Sequence, residues 1–163
     1  LQLIDNRPIN NIGYLFRIFF IVESKIRILM YKHQDKLRVR YAHTDRMGYC
    51  YYGNYAQFYE IGRVEALRAL GFSYKDMEDN GVLLPVIDFN IKYLAPAFYD
   101  DLLTINTFVK ELPVARIKFD YEIFNESKEK LNFGSTTLVF INKNSGKPIK
   151  CPLELTEQLK VFI

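Results

Sequence analysis

The stretch from Val39 to Leu70 reads VRYAHTDRMGYCYYGNYAQFYEIGRVEALRAL, and its second half decides the fold. Tyr55, Phe58, Tyr59, Gly62, Ala66, Leu67 and Leu70 recur at the three- and four-residue spacing of one helix face, with Arg63 and Arg68 on the flanks. The spacing predicts a helix over Tyr55 to Leu70, with Asn54 as its N-cap and Gly71 just past its end. Gly62 costs roughly 1 kcal/mol in a helix interior relative to Ala, so another backbone is expected to pack closely there. Ahead of the helix, Asp45-Arg46-Met47-Gly48 holds the Asp and Gly that turns favour.

Such a helix needs a sheet to cover it, and the flanking sequence supplies one. Lys36 to His43 alternates Leu37, Val39 and Tyr41 with basic residues, the period-two signal of a half-buried strand. Beyond the helix, Val82 to Tyr93, Leu102 to Glu111, Val114 to Phe124 and Leu131 to Ile141 are rich in β-branched and aromatic residues. Ile117, Phe119, Tyr121 and Ile123 should face one way and Lys118, Asp120 and Glu122 the other, as in an antiparallel sheet with one buried face. A turn is expected at Asn142 to Lys147, and the tail reads as a short polar segment. The class is therefore α+β, an antiparallel β-sheet wrapped around one long central α-helix. Its far face and its edges would stay exposed, which favours a homodimer or homotetramer that continues the sheet.

At 163 residues, with 49% hydrophobic residues, 12 Tyr and 13 Phe, the chain can build one substantial core, and no linker-like stretch divides it. The formal charge of +3 is concentrated at the start: residues 1 to 29 carry four basic and two acidic side chains, leaving the remainder at +1. That balance excludes a broad nucleic-acid footprint. Cys50 and Cys151 are too few for a disulfide framework and point to a reducing, cytoplasmic setting. Ile12 to Val22 is apolar but interrupted by Arg17 and shorter than the ~20 residues of a membrane helix, so membrane insertion is not expected. Residues 1–29 read as an N-terminal extension arising from start-site choice, with Met30 as the natural start and residues 30–163 as the domain.

Asp45 is the residue with most chemical promise. It is a carboxylate in a Gly-containing loop just ahead of a helix N-terminus, whose free N–H groups can polarise a carbonyl and hold the oxyanion formed on attack. A carboxylate and an oxyanion site together suffice for thioester hydrolysis. The surrounding string resembles the signature of the 4-hydroxybenzoyl-CoA thioesterase family: Tyr41, Thr44-Asp45-Arg46-Met47-Gly48, the aromatic run Tyr49 to Tyr52, Asn54-Tyr55 and Phe58-Tyr59-Glu60. Tyr93-Leu94-Ala95-Pro96-Ala97, followed by Asp100-Asp101, resembles a later element of the same family.

The resemblance, over about residues 36 to 160, implies a hotdog fold and an acyl-CoA thioesterase. It puts the catalytic aspartate on Asp45, acting as general base or as nucleophile. It puts the oxyanion donors near Tyr52 and Gly53, where a glycine lets the substrate approach the backbone, and the substrate pocket at Tyr41, Gly48, Asn54 and Tyr55. Glu60 is a candidate second acid, against which stands pairing with Arg63 or Arg68. Many bacterial relatives carry His where this chain has Tyr52, so any help from that position must come from a phenol. The substrate would be an acyl-CoA, or an acyl group on a carrier protein, and its phosphates would meet positive charge such as Arg40, Lys92 or Lys118.

No cofactor is implied, and two histidines with scattered carboxylates have no metal-ligand spacing. A nucleophilic Cys50 assisted by His43 is the lesser reading beside Cys50 as core. Two other functions fit the same fold: a non-catalytic acyl-CoA or carrier-protein binding module, and a dehydratase or hydratase, which would want a His that the helix region lacks.

Overall fold

The structure is a computed structural model and describes residues 29–163. Apart from Leu29, the extension expected over residues 1–29 lies outside the described residues.

Five strands form one antiparallel sheet in the order β1-β4-β5-β6-β3: β1 (Tyr31–Arg38), β3 (Val86–Tyr93), β4 (Leu102–Val109), β5 (Arg116–Phe124) and β6 (Lys130–Val139). A small ladder joins β2 (Val82–Leu83) to β7 (Ile141–Asn142). The long helix α1 (Asn54–Ala69) lies on the inner face of the sheet, as the hotdog arrangement requires. In β5, Ile117, Phe119, Tyr121 and Ile123 are buried and the residues between them are not, the expected alternation. Tyr59 of α1 stacks on Tyr121 with ring centroids 4.2 Å apart and planes within 9°, which fixes the helix over the middle of the sheet.

The C-terminus of α1 follows from Gly71. With φ at +89°, Gly71 takes the left-handed conformation that closes a Schellman motif: its amide donates to Arg68 O, and the Phe72 amide to Leu67 O, both at 2.9 Å. At the other end the cap is Gly53, and Asn54 is the first helical residue. The Asn54 side chain is engaged elsewhere, its Nδ2 donating to His43 O at 2.7 Å.

Gly62 is needed because α1 sits hard against β4. A Cβ there would stand 2.6 Å from Thr107 Oγ1 and 2.9 Å from Ile105 Cγ2, so side chains, and not a second backbone, fill the space expected above it. Arg63, expected on a flank, is buried, because its Nε donates to the Tyr74 hydroxyl at 3.2 Å. Tyr74 opens a short helix, α2 (Tyr74–Asp79), whose cap is Ser73 Oγ accepting from the Asp76 amide.

Other boundaries moved for local reasons. β1 begins five residues before the expected Lys36 and ends at Arg38, beyond which Tyr41–His43 form a 3-10 turn. Tyr31 anchors its start, buried and donating from its hydroxyl to Ala66 O at 2.7 Å. The strand expected over Val82 to Tyr93 is cut by Pro85, which has no N–H for a ladder. The polar tail contains a helix, α3 (Leu153–Leu159), that buries Leu155 and Leu159. The exposed positions of the β1 edge include Lys32, Lys36 and Arg38. At the opposite edge, β3 is exposed along nearly its whole length and carries Val86, Ile87, Phe89 and Tyr93. No described helix is long and apolar enough to cross a membrane.

Candidate active site

The loop before α1 is a tight hairpin closed by its own backbone. Thr44 and Cys50 form an antiparallel bridge, the Asp45 amide donates to Tyr49 O at 3.1 Å, and the Gly48 amide to Asp45 O at 3.0 Å. Gly48, with φ at +84°, holds the left-handed position of this turn. Asp45 begins it, and its Oδ1 accepts from the Met47 amide at 2.8 Å, the local bond that Asp makes best. Its other carboxylate oxygen has no hydrogen bond among the described residues. One oxygen thus fixes the side chain, and the other is left without a protein partner among the described residues.

The loop is tied to the helix and to the sheet. Asn54 Nδ2 and the Tyr51 amide both donate to His43 O, at 2.7 and 2.8 Å. The Tyr93 hydroxyl at the end of β3 donates to Tyr52 O at 3.0 Å. Between these ties opens a cleft of about 430 Å³ whose walls are Asp45, Met47, Tyr49 and Cys50 from the loop, Tyr52 and Tyr55 from the start of α1, and Tyr93 to Pro96. The amides of Tyr52 and Gly53 donate to no protein acceptor among the described residues, and they lie at the positive end of α1.

Asp45 is the single carboxylate in this wall. Three other walls are held toward their neutral forms: burial pushes the thiol of Cys50 up, and burial also raises the Tyr55 and Tyr93 phenols. A thiol so raised makes a poor nucleophile. His43 gives it no help, because its Nδ1 accepts from the Arg40 amide at 3.1 Å and its ring packs edge-on against Phe58. Among the described residues no group of His, Cys, Asp and Glu could hold a metal ion.

Of the residues singled out from sequence, the cleft brings together Asp45, Tyr52 and Tyr55. Gly53 and Asn54 stand behind the wall. Gly53 leaves room for the Tyr51 ring, since a Cβ there would lie 2.6 Å from Tyr51 Cε1, where closeness to substrate was the expected reason for a glycine. Gly48 shapes the turn and lies outside the wall. Tyr41 is 80% exposed, packs against Tyr99 and does not reach the cleft. Glu60 points to solvent on α1, 3.8 Å from Arg63 Nη2. Lys118 lies on β5 with its Nζ 3.9 Å from Asp120. Sequence reading gave no role in the wall to Met47, Tyr49, Cys50, Tyr93, Leu94 or Pro96. The Tyr93 to Ala97 motif was the available signal for the last three. A larger hollow of about 610 Å³, lined by Gln34, Lys36, Asn106, Glu126 and Lys128 among others, lies elsewhere on the sheet and includes no residue of α1 or of the Asp45 loop.

The family model described as the thioesterase superfamily matches residues 47–131, beginning just past Asp45. YneP of Bacillus subtilis, provisionally named an acyl-CoA thioesterase, is 36% identical over 121 residues, covering 74% of this chain and 88% of its own. The acyl-CoA thioester hydrolase YbgC of Escherichia coli is 31% identical over 124 residues, covering 76% of this chain and 92% of its own. The crystal structure of a DHNA-CoA thioesterase from Staphylococcus aureus superposes with a TM-score of 0.71 at 40% identity, over 73% of this chain and 80% of that one.

Proposed function

This chain belongs to the thioesterase superfamily, and from that premise we propose that it hydrolyses an acyl-CoA thioester to the free acid and CoA, with Asp45 as the acting carboxylate. The thioester carbonyl would lie with its oxygen toward the amides of Tyr52 and Gly53 and its carbon beside the unbonded oxygen of Asp45. Asp45 then either takes a proton from water as that water adds to the carbon, or adds itself to give an anhydride that water opens. On either route the negative charge gathers on the carbonyl oxygen, where the helix amides and dipole stabilise it. Collapse expels the CoA thiolate, a good leaving group, so no metal or organic cofactor is needed. Tyr52 lines the acyl path with its ring and offers a phenol where a water could be positioned.

The observation that supports this reading is that Asp45, with one unbonded oxygen, lines one cleft with Tyr52, whose amide and that of the following Gly53 are unpaired among the described residues. Acyl-carrier protein remains a substrate carrier to test beside CoA. We further propose a cytoplasmic homodimer or homotetramer, supported by two free, buried cysteines and by the bare apolar edge of β3. Thiol release from a panel of acyl-CoAs tests the reaction. Asp45→Asn should lower kcat by roughly 10²–10⁴-fold while CoA binding persists. Unchanged turnover in that variant would remove Asp45 from the chemistry, and binding without turnover in the natural chain would favour a binding module.

A further inference from the structure

The hollow of about 610 Å³ lies on the outer face of the sheet, turned away from α1, and owes its shape to side-chain length. On β4, Ile105 and Thr107 point at Gly62 of α1, so by strand alternation Leu102, Thr104 and Asn106 point outward. Thr104 stands between Lys36 of β1 and Phe124 of β5, a row of three strands about 10 Å across. A short residue between two long ones leaves a depression. The turn from β5 to β6 closes its end. There Asn125 Oδ1 accepts from the Glu129 amide at 2.9 Å and its Nδ2 donates to Glu129 Oε2 at 3.0 Å, while Lys128 occupies a left-handed position with φ at +61°.

Asn106 is the polar floor. It is 6% exposed and lines the hollow, and its Oδ1 accepts from Gln34 Nε2 at 3.0 Å. Its Nδ2, on the other side of the amide, has no acceptor among the described residues. A donor in so buried a residue is costly to leave unpaired, and an anionic oxygen answers it more strongly than a neutral one. The charges around it point the same way. Lys36 and Lys128 form no ion pair among the described residues and outnumber Glu126, the single acid of the lining. The neighbouring Glu122 is taken by Lys130 at 2.5 Å. Leu102 and the Phe124 ring supply an apolar wall, and the volume lies within the roughly 300–1,000 Å³ of organic-ligand sites.

We propose that this hollow is a binding site, separate from the Asp45 cleft, for a small organic anion. The carboxylate or phosphate group of the ligand lies between Lys36 and Lys128 and accepts from Asn106 Nδ2. Its carbon part rests on Phe124 and Leu102. The apolar wall is what selects an organic anion over a bare inorganic one, because burial of the carbon part adds to the attraction of the head group.

The test is a titration of the full chain, labelled with nitrogen-15, with phenyl phosphate, benzoate and inorganic phosphate, followed by NMR. Phenyl phosphate or benzoate should shift the Asn106 side-chain amide and the Thr104 and Lys128 backbone amides, with a dissociation constant of roughly 1 mM or tighter. Binding of either supports the site, and the tighter of the two names the head group. Lys128→Gly removes an ammonium at a backbone position that glycine adopts more readily, so Tm should hold or rise while affinity falls about fivefold or more. Lys36→Gln should weaken binding to a similar degree. Asn106→Asp keeps the acceptor for Gln34 and sets a negative charge against the ligand, which should abolish the shifts. Absent shifts, shifts confined to the Asp45 cleft, or natural affinity in both lysine variants would each overturn the proposal. Inorganic phosphate bound as tightly as the organic probes would also overturn it, as would displacement of the probe from these residues by CoA, which would make the hollow part of the substrate's own path. Asp45→Asn should bind the probes as the natural chain does, so failure of the proposed hydrolysis and failure of this site are distinguishable.

Discussion

Substituting Gly62 by Ala probes the contact that holds α1 on the sheet. The new methyl would stand 2.6 Å from Thr107 Oγ1 and 2.9 Å from Ile105 Cγ2, where carbon contacts are comfortable at about 3.5–4.0 Å. Both neighbours are buried and β-branched, with little rotamer freedom, so the helix must lift by several tenths of an ångström. A lift of that size weakens the packing of Phe58, Tyr59, Ala66 and Leu67 together, and overpacking of this kind costs about 1–3 kcal/mol. Alanine returns up to about 1 kcal/mol in helix propensity. The net expectation is a loss of about 1–2 kcal/mol, or a fall of roughly 2–8 °C in Tm for a domain of this size, measured by thermal and urea unfolding. Thr107→Ala removes the nearest obstacle, a hydroxyl that is itself buried without a hydrogen-bond partner, so the double variant should be more stable than the two single effects summed. A Gly62→Ala protein as stable as the natural one, or strict additivity with Thr107→Ala, would refute the close seating of α1 on β4.

Asn54→Ala deletes the bond to His43 O and should cost about 0.5–1.5 kcal/mol, and because it loosens the Asp45 loop from the helix, kcat should fall more than KM changes. Equal kcat in steady-state assays would show that the tether does not position the carboxylate. Burial, and then the charge of Arg40, lower the pKa of His43. The folded protein therefore prefers the neutral ring that accepts from the Arg40 amide, and this contribution is complete above the ordinary His pKa of about 6.5 and lost as pH falls below it through the depressed folded value. Melting curves between pH 7.5 and about 5 should show a smaller acid loss for His43→Asn than for the natural chain, and parallel curves would contradict this.

What sequence reading reached, and what it missed, divides by the range of the forces involved. The end of α1 was legible because Gly71 acts on its immediate neighbours, and the alternation in β5 because a strand advertises its two faces locally. Arg63 misled because its burial depends on a phenol from α2, a helix whose Ser73 cap was present in the sequence but signals only a turn and a half of structure. The start of β1 is polar apart from Tyr31, so its pairing is visible only once the whole edge is aligned with β4. At the site, Asp45 could be picked out from loop chemistry next to a helix start. Tyr93, Leu94 and Pro96 arrive at the same cleft from far along the chain, and nothing in their local pattern says which wall they form. Tyr41 went the other way: the family resemblance put it in the pocket, but the chain turns at residues 41–43 and its ring packs against Tyr99.

The two rims of the sheet differ chemically: β1 exposes lysines and an arginine, whereas β3 exposes Val86, Ile87, Phe89 and Tyr93 beside a single acid and a single lysine. Growth of the sheet by adding further copies therefore has one permitted end and one repellent end. Were copies to join at β3, the cationic β1 rims left at both outer ends would discourage further addition, a defence against fibre formation for a strand-rich protein with an apolar border.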